Sequence, residues 1–218
     1  MLSGMHDLTY LELDNVPFQP EALAGKTKLQ HLDLSSGSVC GRAAALLSQL
    51  QHLQQLTHLT LQNNLQDGEY QYEEPGEFPT AIDWGFAFRR PPDGIIPPAA
   101  AYSALTASSK LQHLDISWCK LPAGVWQHMF SADRQLPHLR HLNLSSIRQP
   151  LDSGYPGPGQ LIASCCTGLQ SVDVDGIQCT DEQLRALSDK LKECWQPKTV
   201  TGPDALAALN SYLSGLSH

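Results

Sequence analysis

The chain has 218 residues, of which 41% are hydrophobic and 17% charged, and its formal charge is −8 at pH 7. This composition excludes a disordered chain, and the excess of acidic residues argues against a surface that binds the phosphates of nucleic acid. No apolar run reaches the roughly 20 residues of a membrane span, and the opening MLSGMHDLTYLELD lacks the pattern of a signal peptide. We therefore expect a protein that binds neither nucleic acid nor membranes. The expected location is the cytoplasm, with the nucleus or an association with the cytoskeleton or axoneme as alternatives.

One eight-residue motif recurs along the chain, for example as LQHLDLSS from Leu29 and as LTHLTLQN from Leu56. Its six copies begin at Leu8, Leu29, Leu56, Leu111, Leu139 and Leu169. Most copies follow one another after about 28 residues, a period that is typical of repeat architectures. The gap of 55 residues before Leu111 is about twice that period.

The first, fourth and sixth places of the motif are aliphatic in every copy. They hold Leu8, Leu11 and Leu13; Leu29, Leu32 and Leu34; Leu56, Leu59 and Leu61; Leu111, Leu114 and Ile116; Leu139, Leu142 and Leu144; and Leu169, Val172 and Val174. Because side chains of a strand alternate between its two faces, this pattern predicts a short strand with one buried face. A single copy cannot bury its own leucines, so the copies are expected to stack.

The spacing L-x-x-L-x-L resembles that of leucine-rich repeat proteins over nearly the whole chain. Asn64 and Cys119 stand at the ninth place, where that family has Asn or Cys to bond the turn backbone. CTGL before the last copy and IQCTDEQLRAL after it are similar to the entry and exit of cysteine-containing repeats. Together these features resemble the ribonuclease-inhibitor-like, F-box-associated subclass. Four copies depart from Asn or Cys at the ninth place, with Val16, Gly37, Ile147 and Ile177.

The resemblance implies an α/β fold, a curved solenoid of about six to seven repeats with parallel strands on the concave face and helices on the convex face. Residues 1–218 would form a single leucine-rich repeat domain, in which residues 197–218 are a last repeat or a cap. Between the copies, the alanine- and leucine-rich segments predict helices over 41–53, 99–108, 121–132, 160–166, 181–194 and 203–216.

Residues 65–100 hold either a degenerate copy of the motif or an insertion. The segment AIDWGF would place Ala81, Trp84 and Phe86 at the three inward places, and we expect a seventh copy there. Residues 67–79 are acidic, aromatic and rich in turn formers, and the proline-rich RRPPDGIIPP follows AIDWGF, so both segments are typical of loops.

The third, fifth and seventh places of the motif point away from the leucines and form three columns across neighbouring strands, which lie about 4.8 Å apart. Four of the six copies have histidine at the third place. We predict that a partner protein binds these columns together with two tyrosines of the acidic segment, because aromatic residues ringed by polar ones are typical of binding hot spots. The candidate residues are Tyr10, Glu12, His31, Asp33, His58, Thr60, Tyr70, Tyr72, His113, Asp115, His141, Asn143 and Asp173.

Four interpretations of the histidines are open. His31, Asp33 and Ser35 on one strand suggest a hydrolase triad, although a triad needs the histidine between the serine and the acid. Neighbouring histidines could bind a transition metal, although two ligands on a flat sheet enclose an ion poorly. The imidazoles could make binding sensitive to pH, or they could be hydrogen-bonding surface residues inherited by duplication.

The six cysteines favour reduced thiols, because the chain is neither short nor evidently secreted and contains no C-x-x-C pair. Adjacent Cys165 and Cys166 make a poor zinc clamp. We expect no disulfide framework, no metal and no cofactor.

The expected function is a non-catalytic scaffold that binds another protein on its concave face. The F-box resemblance implies a substrate receptor of an SCF-type ubiquitin ligase. Ligase subunits would be further partners if the chain is part of a longer protein, because a copy already begins at Leu8 where an F-box would precede the repeats. One alternative is a stand-alone adaptor in a cytoskeletal or ciliary (axonemal) assembly. Another is a metal-dependent or hydrolytic enzyme.

Overall fold

The structure is a computed structural model, and it describes five segments of the chain: 4–14, 16–35, 42–65, 97–147 and 158–173. Several predictions made from the sequence lie outside these segments. They concern the inward residues of a seventh copy (Ala81, Trp84 and Phe86), the contact candidates Tyr70 and Tyr72, the helices over 181–194 and 203–216, and the C-terminal cap over 197–218.

In the described segments, six strands of three residues, each centred on the fourth place of a motif copy, form one all-parallel sheet. They are β1 (Tyr10–Glu12), β2 (His31–Asp33), β3 (His58–Thr60), β4 (His113–Asp115), β5 (His141–Asn143) and β6 (Ser171–Asp173). Strands that are consecutive in the chain are neighbours in the sheet, in the order β1 to β6. With helical segments between the strands, the described chain has an α/β architecture, and the predicted parallel strands are confirmed.

The 55-residue gap between two motif copies leaves no gap in the sheet. β3 pairs directly with β4, so that His58 lies opposite His113 and Leu59 opposite Leu114. Among the described segments no strand lies between β3 and β4, so the described sheet shows no seventh strand in line with the other six. The alternative of an insertion agrees with this order, and residues 66–96 themselves lie outside the described segments.

Short helical segments connect the strands. Among the residues that the structure describes, two are 3₁₀ helices, at Pro20–Leu23 and Ala99–Thr106, and three are α-helices, namely α1 (Ala43–Leu50), α2 (Val125–Met129) and α3 (Pro158–Cys165). Among these described segments, none combines the length and the apolar composition that crossing a bilayer requires.

The observed helices differ from the predicted ones in local detail. Gly124, which precedes α2, has a φ of +73°, a left-handed conformation through which a right-handed helix cannot continue. The helix predicted over 121–132 therefore starts only at Val125, and it ends at Met129 because Phe130 leaves the helical conformation with φ −118° and ψ 54°. The segment predicted as a helix over 99–108 adopts the 3₁₀ form, and the short 3₁₀ turn that starts at Pro20 was not predicted, although proline is common in a first helical turn.

Leucines of the strands and apolar residues of the helices form a single buried cluster. The inward places of the four central copies are buried, whereas Leu8, Leu13 and Val172 of the first and last copies are only partly buried. Within the described sheet β1 and β6 each have one neighbouring strand instead of two. Because a fully buried aliphatic side chain contributes about 1.5–3 kcal/mol, the central copies carry most of the hydrophobic stabilisation.

The ninth-place residues Asn64 and Cys119 both hydrogen-bond the backbone that follows β3. Cys119 is fully buried there, and its Sγ donates a hydrogen bond to the carbonyl oxygen of Leu61 at 3.2 Å. Asn64 is also buried, and its Nδ2 donates to the carbonyl oxygen of Gln62 at 3.1 Å. Burial raises the pKa of the Cys119 thiol to about 11. All three cysteines among the described residues carry free thiols.

Candidate functional site: the polar face of the sheet

The two faces of the sheet differ because side chains alternate along each strand. In β2 the fourth-place Leu32 is completely buried, while His31 and Asp33 on either side of it are only half-buried. The same alternation holds in β3, β4 and β5. We use the name polar face for the surface formed by the third, fifth and seventh places of the motif with the eighth-place residue that follows. Every predicted binding residue within the described segments lies on it.

The third-place side chains form a continuous column across the sheet. The register places Tyr10, His31, His58, His113, His141 and Ser171 opposite one another in that order. The ring of Tyr10 stacks on that of His31 with centroids 4.2 Å apart and planes at 9°. The next three centroid separations, from His31 through His141, are 5.4, 5.9 and 6.1 Å. We call these six residues the histidine column.

Hydrogen bonds hold two of the imidazoles. Thr57 Oγ1 and His58 Nδ1 are 2.9 Å apart, and Ser171 Oγ and His141 Nδ1 are 2.8 Å apart. The second bond joins β5 to β6, so the column ends in a hydroxyl that pairs with the last imidazole.

The environments of His58 and His113, the two central imidazoles of the histidine column, disfavour protonation. Partial burial lowers the pKa of His58, and repulsion from the neighbouring imidazoles lowers it further. Partial burial also lowers the pKa of His113, although Asp115 acts in the opposite direction. Since an isolated histidine has a pKa of about 6.5, both side chains are mainly neutral at pH 7.

The fifth-place residues repeat one hydrogen-bonded arrangement. The Oδ1 of Asp33 accepts from the backbone nitrogen of Ser35 at 3.0 Å and from its hydroxyl at 2.5 Å. Asp115 accepts in the same way from Ser117, at 2.9 and 2.6 Å. In both cases the serine hydroxyl donates to the aspartate and not to an imidazole, which is not the order of contacts in a hydrolase triad.

Asn143 takes the same part in β5 without a charge. Its Oδ1 accepts from the backbone nitrogen and hydroxyl of Ser145 at 3.0 and 2.8 Å, and its Nδ2 donates to Asp115 Oδ2 at 2.8 Å. An amide oxygen at the fifth place therefore bonds the following serine in the same way as a carboxylate oxygen does.

The first strand contributes an aromatic and acidic pair. Tyr10 is 53% exposed, and its hydroxyl donates a hydrogen bond to Glu12. This bond raises the pKa of the Tyr10 phenol. At the other end of the sheet Asp173 is exposed, and Thr60 at the centre is half-buried.

Sequence reasoning missed Trp118, which stands at the eighth place after β4. Its φ is +60°, its backbone nitrogen donates to the carbonyl oxygen of Ser145 at 2.9 Å, and 52% of its surface is exposed. Asn63 and Ser146 at the same place of other copies have φ values of 58° and 55°. A left-handed conformation is uncommon for a bulky residue. The available signal was in the alignment of the copies, since the other eighth places hold only small turn-forming residues, namely Asn15, Ser36, Asn63, Ser146 and Gly176.

The described residues contain no group of three or more His, Cys, Asp or Glu side chains with a geometry that could hold a metal ion. The polar face presents rings, hydroxyls and carboxylates in columns that run across the strands.

A search of family models found no match to this chain, and searches of curated proteins and of solved structures found none either.

Proposed function

We propose that the chain is a leucine-rich repeat solenoid of the ribonuclease-inhibitor-like, F-box-associated subclass and that its polar face is the concave, protein-binding face. The observation that carries this proposal is the register of the sheet. Six copies of one motif lie side by side, so that every third-place residue stands beside its equivalents. Helical segments separate the strands in sequence, as a stacked strand–turn–helix repeat requires.

The dimensions of the polar face fit a macromolecular ligand. Six strands about 4.8 Å apart span roughly 24 Å, and each contributes two or three outward side chains. A small substrate would contact a few of these groups, whereas a protein segment can contact the whole row. Exposed aromatic residues such as Tyr10 and Trp118 are the type of residue that dominates protein interfaces.

Recognition explains the side chains of the polar face better than catalysis does. The serine hydroxyls of β2 and β4 are used to fix the aspartates of their own strands, and the imidazoles contact one another or hydroxyl groups. Such an arrangement presents hydrogen-bonding groups in a fixed order without aligning a nucleophile, a base and an acid.

Photocrosslinking tests this function. A photoreactive phenylalanine derivative is introduced either at Thr60 on the polar face or at Ser48, which is exposed on α1. We expect a covalent adduct with a partner protein from position 60 and none from position 48. The combination His31→Ala with Asp33→Asn should reduce the yield of adduct at position 60 and leave the melting temperature nearly unchanged. Adducts from position 48 alone would place binding on the helical side and contradict the proposal.

Two cellular roles follow from the resemblance, and co-purification separates them. A substrate receptor brings down ubiquitin-ligase subunits, whereas an adaptor brings down structural proteins of the cytoskeleton or axoneme. The full-length gene product with an affinity tag is the appropriate bait, because subunit contacts of a receptor lie outside the repeats.

A further inference from the structure

We propose that the polar face binds an extended, positively charged protein segment whose basic side chains recur at every third residue. This inference rests on the proposed function and adds the chemistry of the partner. It comes from three features of the face: its charge, its exposed rings and the spacing of its carboxylates.

The first feature is a surface with one sign of charge. The described third, fifth and seventh places of the six copies contain no lysine or arginine. They contain five carboxylates, those of Glu12, Asp14, Asp33, Asp115 and Asp173. Because His58 and His113 are mainly neutral at pH 7, they do not compensate these charges. Complementary charge on the partner would speed association and select against acidic competitors.

The second feature is the presence of exposed rings on the same face. Tyr10 and Trp118 each expose about half of their surface, at 53% and 52%. Arginine and lysine side chains are attracted to the faces of such rings when they come within about 6 Å of the centroid. The backbone of Trp118 is held by its bond to Ser145, so the position of this residue is defined before any partner binds. Rings and carboxylates together favour cations over other ligands.

The third feature is the interval between carboxylates. From β2 to β6 the fifth-place carboxylates alternate with uncharged residues: Asp33, Asp115 and Asp173 are on β2, β4 and β6, with Thr60 and Asn143 on the strands between. Glu12 on β1 lies one strand from Asp33 and is outside this interval. Two strand spacings amount to roughly 10 Å. An extended polypeptide in the polyproline II conformation advances about 3.1 Å per residue and has three residues per turn. Side chains three residues apart in the partner therefore lie on the same side and match carboxylates about 10 Å apart.

The molecule itself indicates a substitution that removes charge and preserves the strand. Asn143 makes the same bonds to Ser145 that Asp33 makes to Ser35, so Asp33→Asn with Asp115→Asn keeps the acceptor for the following serine at both fifth places. It removes the acceptor of the bond from Asn143 Nδ2 to Asp115, so the melting temperature of this variant is measured beside its affinity. Glu21→Gln with Asp133→Asn is the matched control. It removes two exposed carboxylates that do not belong to the polar face.

The probes are three synthetic peptides of equal length, and binding to the full chain is measured by calorimetry at neutral pH. One consists of four Arg-Gly-Ser triplets, the second has the same composition with its arginines consecutive, and the third has glutamate in place of arginine. We expect the triplet peptide to bind several-fold more tightly than the clustered one and the glutamate peptide not to bind. The double substitution on the polar face should raise the dissociation constant of the triplet peptide about fivefold, and the control should change it less than twofold.

Trp118→Ser gives a second test that leaves the charge unchanged. Serine occupies the same place after β5 with nearly the same backbone conformation, so the fold should tolerate it. We expect the triplet peptide to bind about threefold more weakly to this variant.

Three results would overturn the inference. Equal losses in the polar-face and control variants would show attraction to net charge alone. Equal affinity for the triplet and clustered peptides would show that binding does not depend on a three-residue spacing of the basic side chains. Failure of the triplet peptide to bind, while position 60 still gives a crosslinked partner, would show that the face binds a partner of other chemistry. In that last case the proposed function stands without this inference, whereas loss of crosslinking at position 60 is a failure of the function itself.

Discussion

The copies of the motif that form β4 and β5 are neighbours with nearly the same framework and different surfaces. Their inward residues are buried in both, and each has histidine at the third place. Asp115 in β4 and Asn143 in β5 bond the following serine in the same way, and Trp118 and Ser146 share a left-handed backbone. The fold therefore accepts either member of each pair. The fold does not require the charge of Asp115 or the ring of Trp118, and we therefore propose that both residues contact the partner.

The largest expected effect tests the part that the two copies share. Leu114→Asp or Leu142→Asp places an unpaired carboxylate among buried leucines, since the two positions are 0% and 2% exposed. Each substitution should destabilise the fold by more than about 4 kcal/mol. Circular dichroism should show loss of the cooperative melt for both. A melt like that of the parent would mean that the register described for the sheet is wrong.

The next effect concerns the eighth place, where the copies differ most. Trp118→Asn should stabilise the fold by about 1 kcal/mol, because asparagine adopts the left-handed conformation more readily than a bulky aromatic residue. The reciprocal Ser146→Trp should destabilise it by a similar amount. Both changes are measured as urea midpoints. Destabilisation by Trp118→Asn would show that contacts of the ring outweigh the conformational cost.

A smaller effect is expected at the fifth place. Asp115→Asn removes the acceptor of the bond from Asn143 Nδ2 and should cost about 1 kcal/mol. Adding Asn143→Asp restores a carboxylate–amide pair in which position 115 is the amide donor and position 143 the carboxylate acceptor. The free energy of unfolding of the double variant should therefore be within about 0.5 kcal/mol of that of the parent. A thermodynamic cycle of the four proteins measures this coupling. Additive losses would show that the bond between β4 and β5 contributes nothing.

The smallest effect is a dependence of stability on pH. The pKa values of His58 and His113 are lowered in the folded chain, so the unfolded chain takes up protons first as the pH falls. Stability should therefore be constant above about pH 6.5 and decrease below it, until the folded chain is protonated as well. His58→Gln with His113→Gln should reduce this decrease, measured as the urea midpoint against pH. His138→Gln, at an exposed position outside the histidine column, is the control and should leave the decrease unchanged.

Much of the sheet was predictable because the motif is repeated. Leu32, Leu59 and Leu114 recur at the same place of similar phrases, and a strand of period two can bury them on one side only. Parallel strands built from equivalent segments pair in equivalent register, so the sequence predicted that His31 lies beside His58 and His113 beside His141. It did not predict that His58 lies beside His113, because a seventh copy was expected between their strands. Helix limits were less predictable, since α2 begins only after Gly124 adopts a positive φ.

The sequence by itself determined which residues form strands, which side of each strand is buried and which side chains stand in columns, because these depend on a local period of two and on identity between copies. Only the tertiary structure decided that β3 pairs directly with β4 across a 55-residue separation. The residue pattern of one segment does not specify which distant segment it will pair with. It also decided the left-handed backbone of Trp118 and the direction of the Ser35 and Ser117 hydroxyls. These features depend on backbone angles and on neighbouring strands, which a pattern of residue types does not specify.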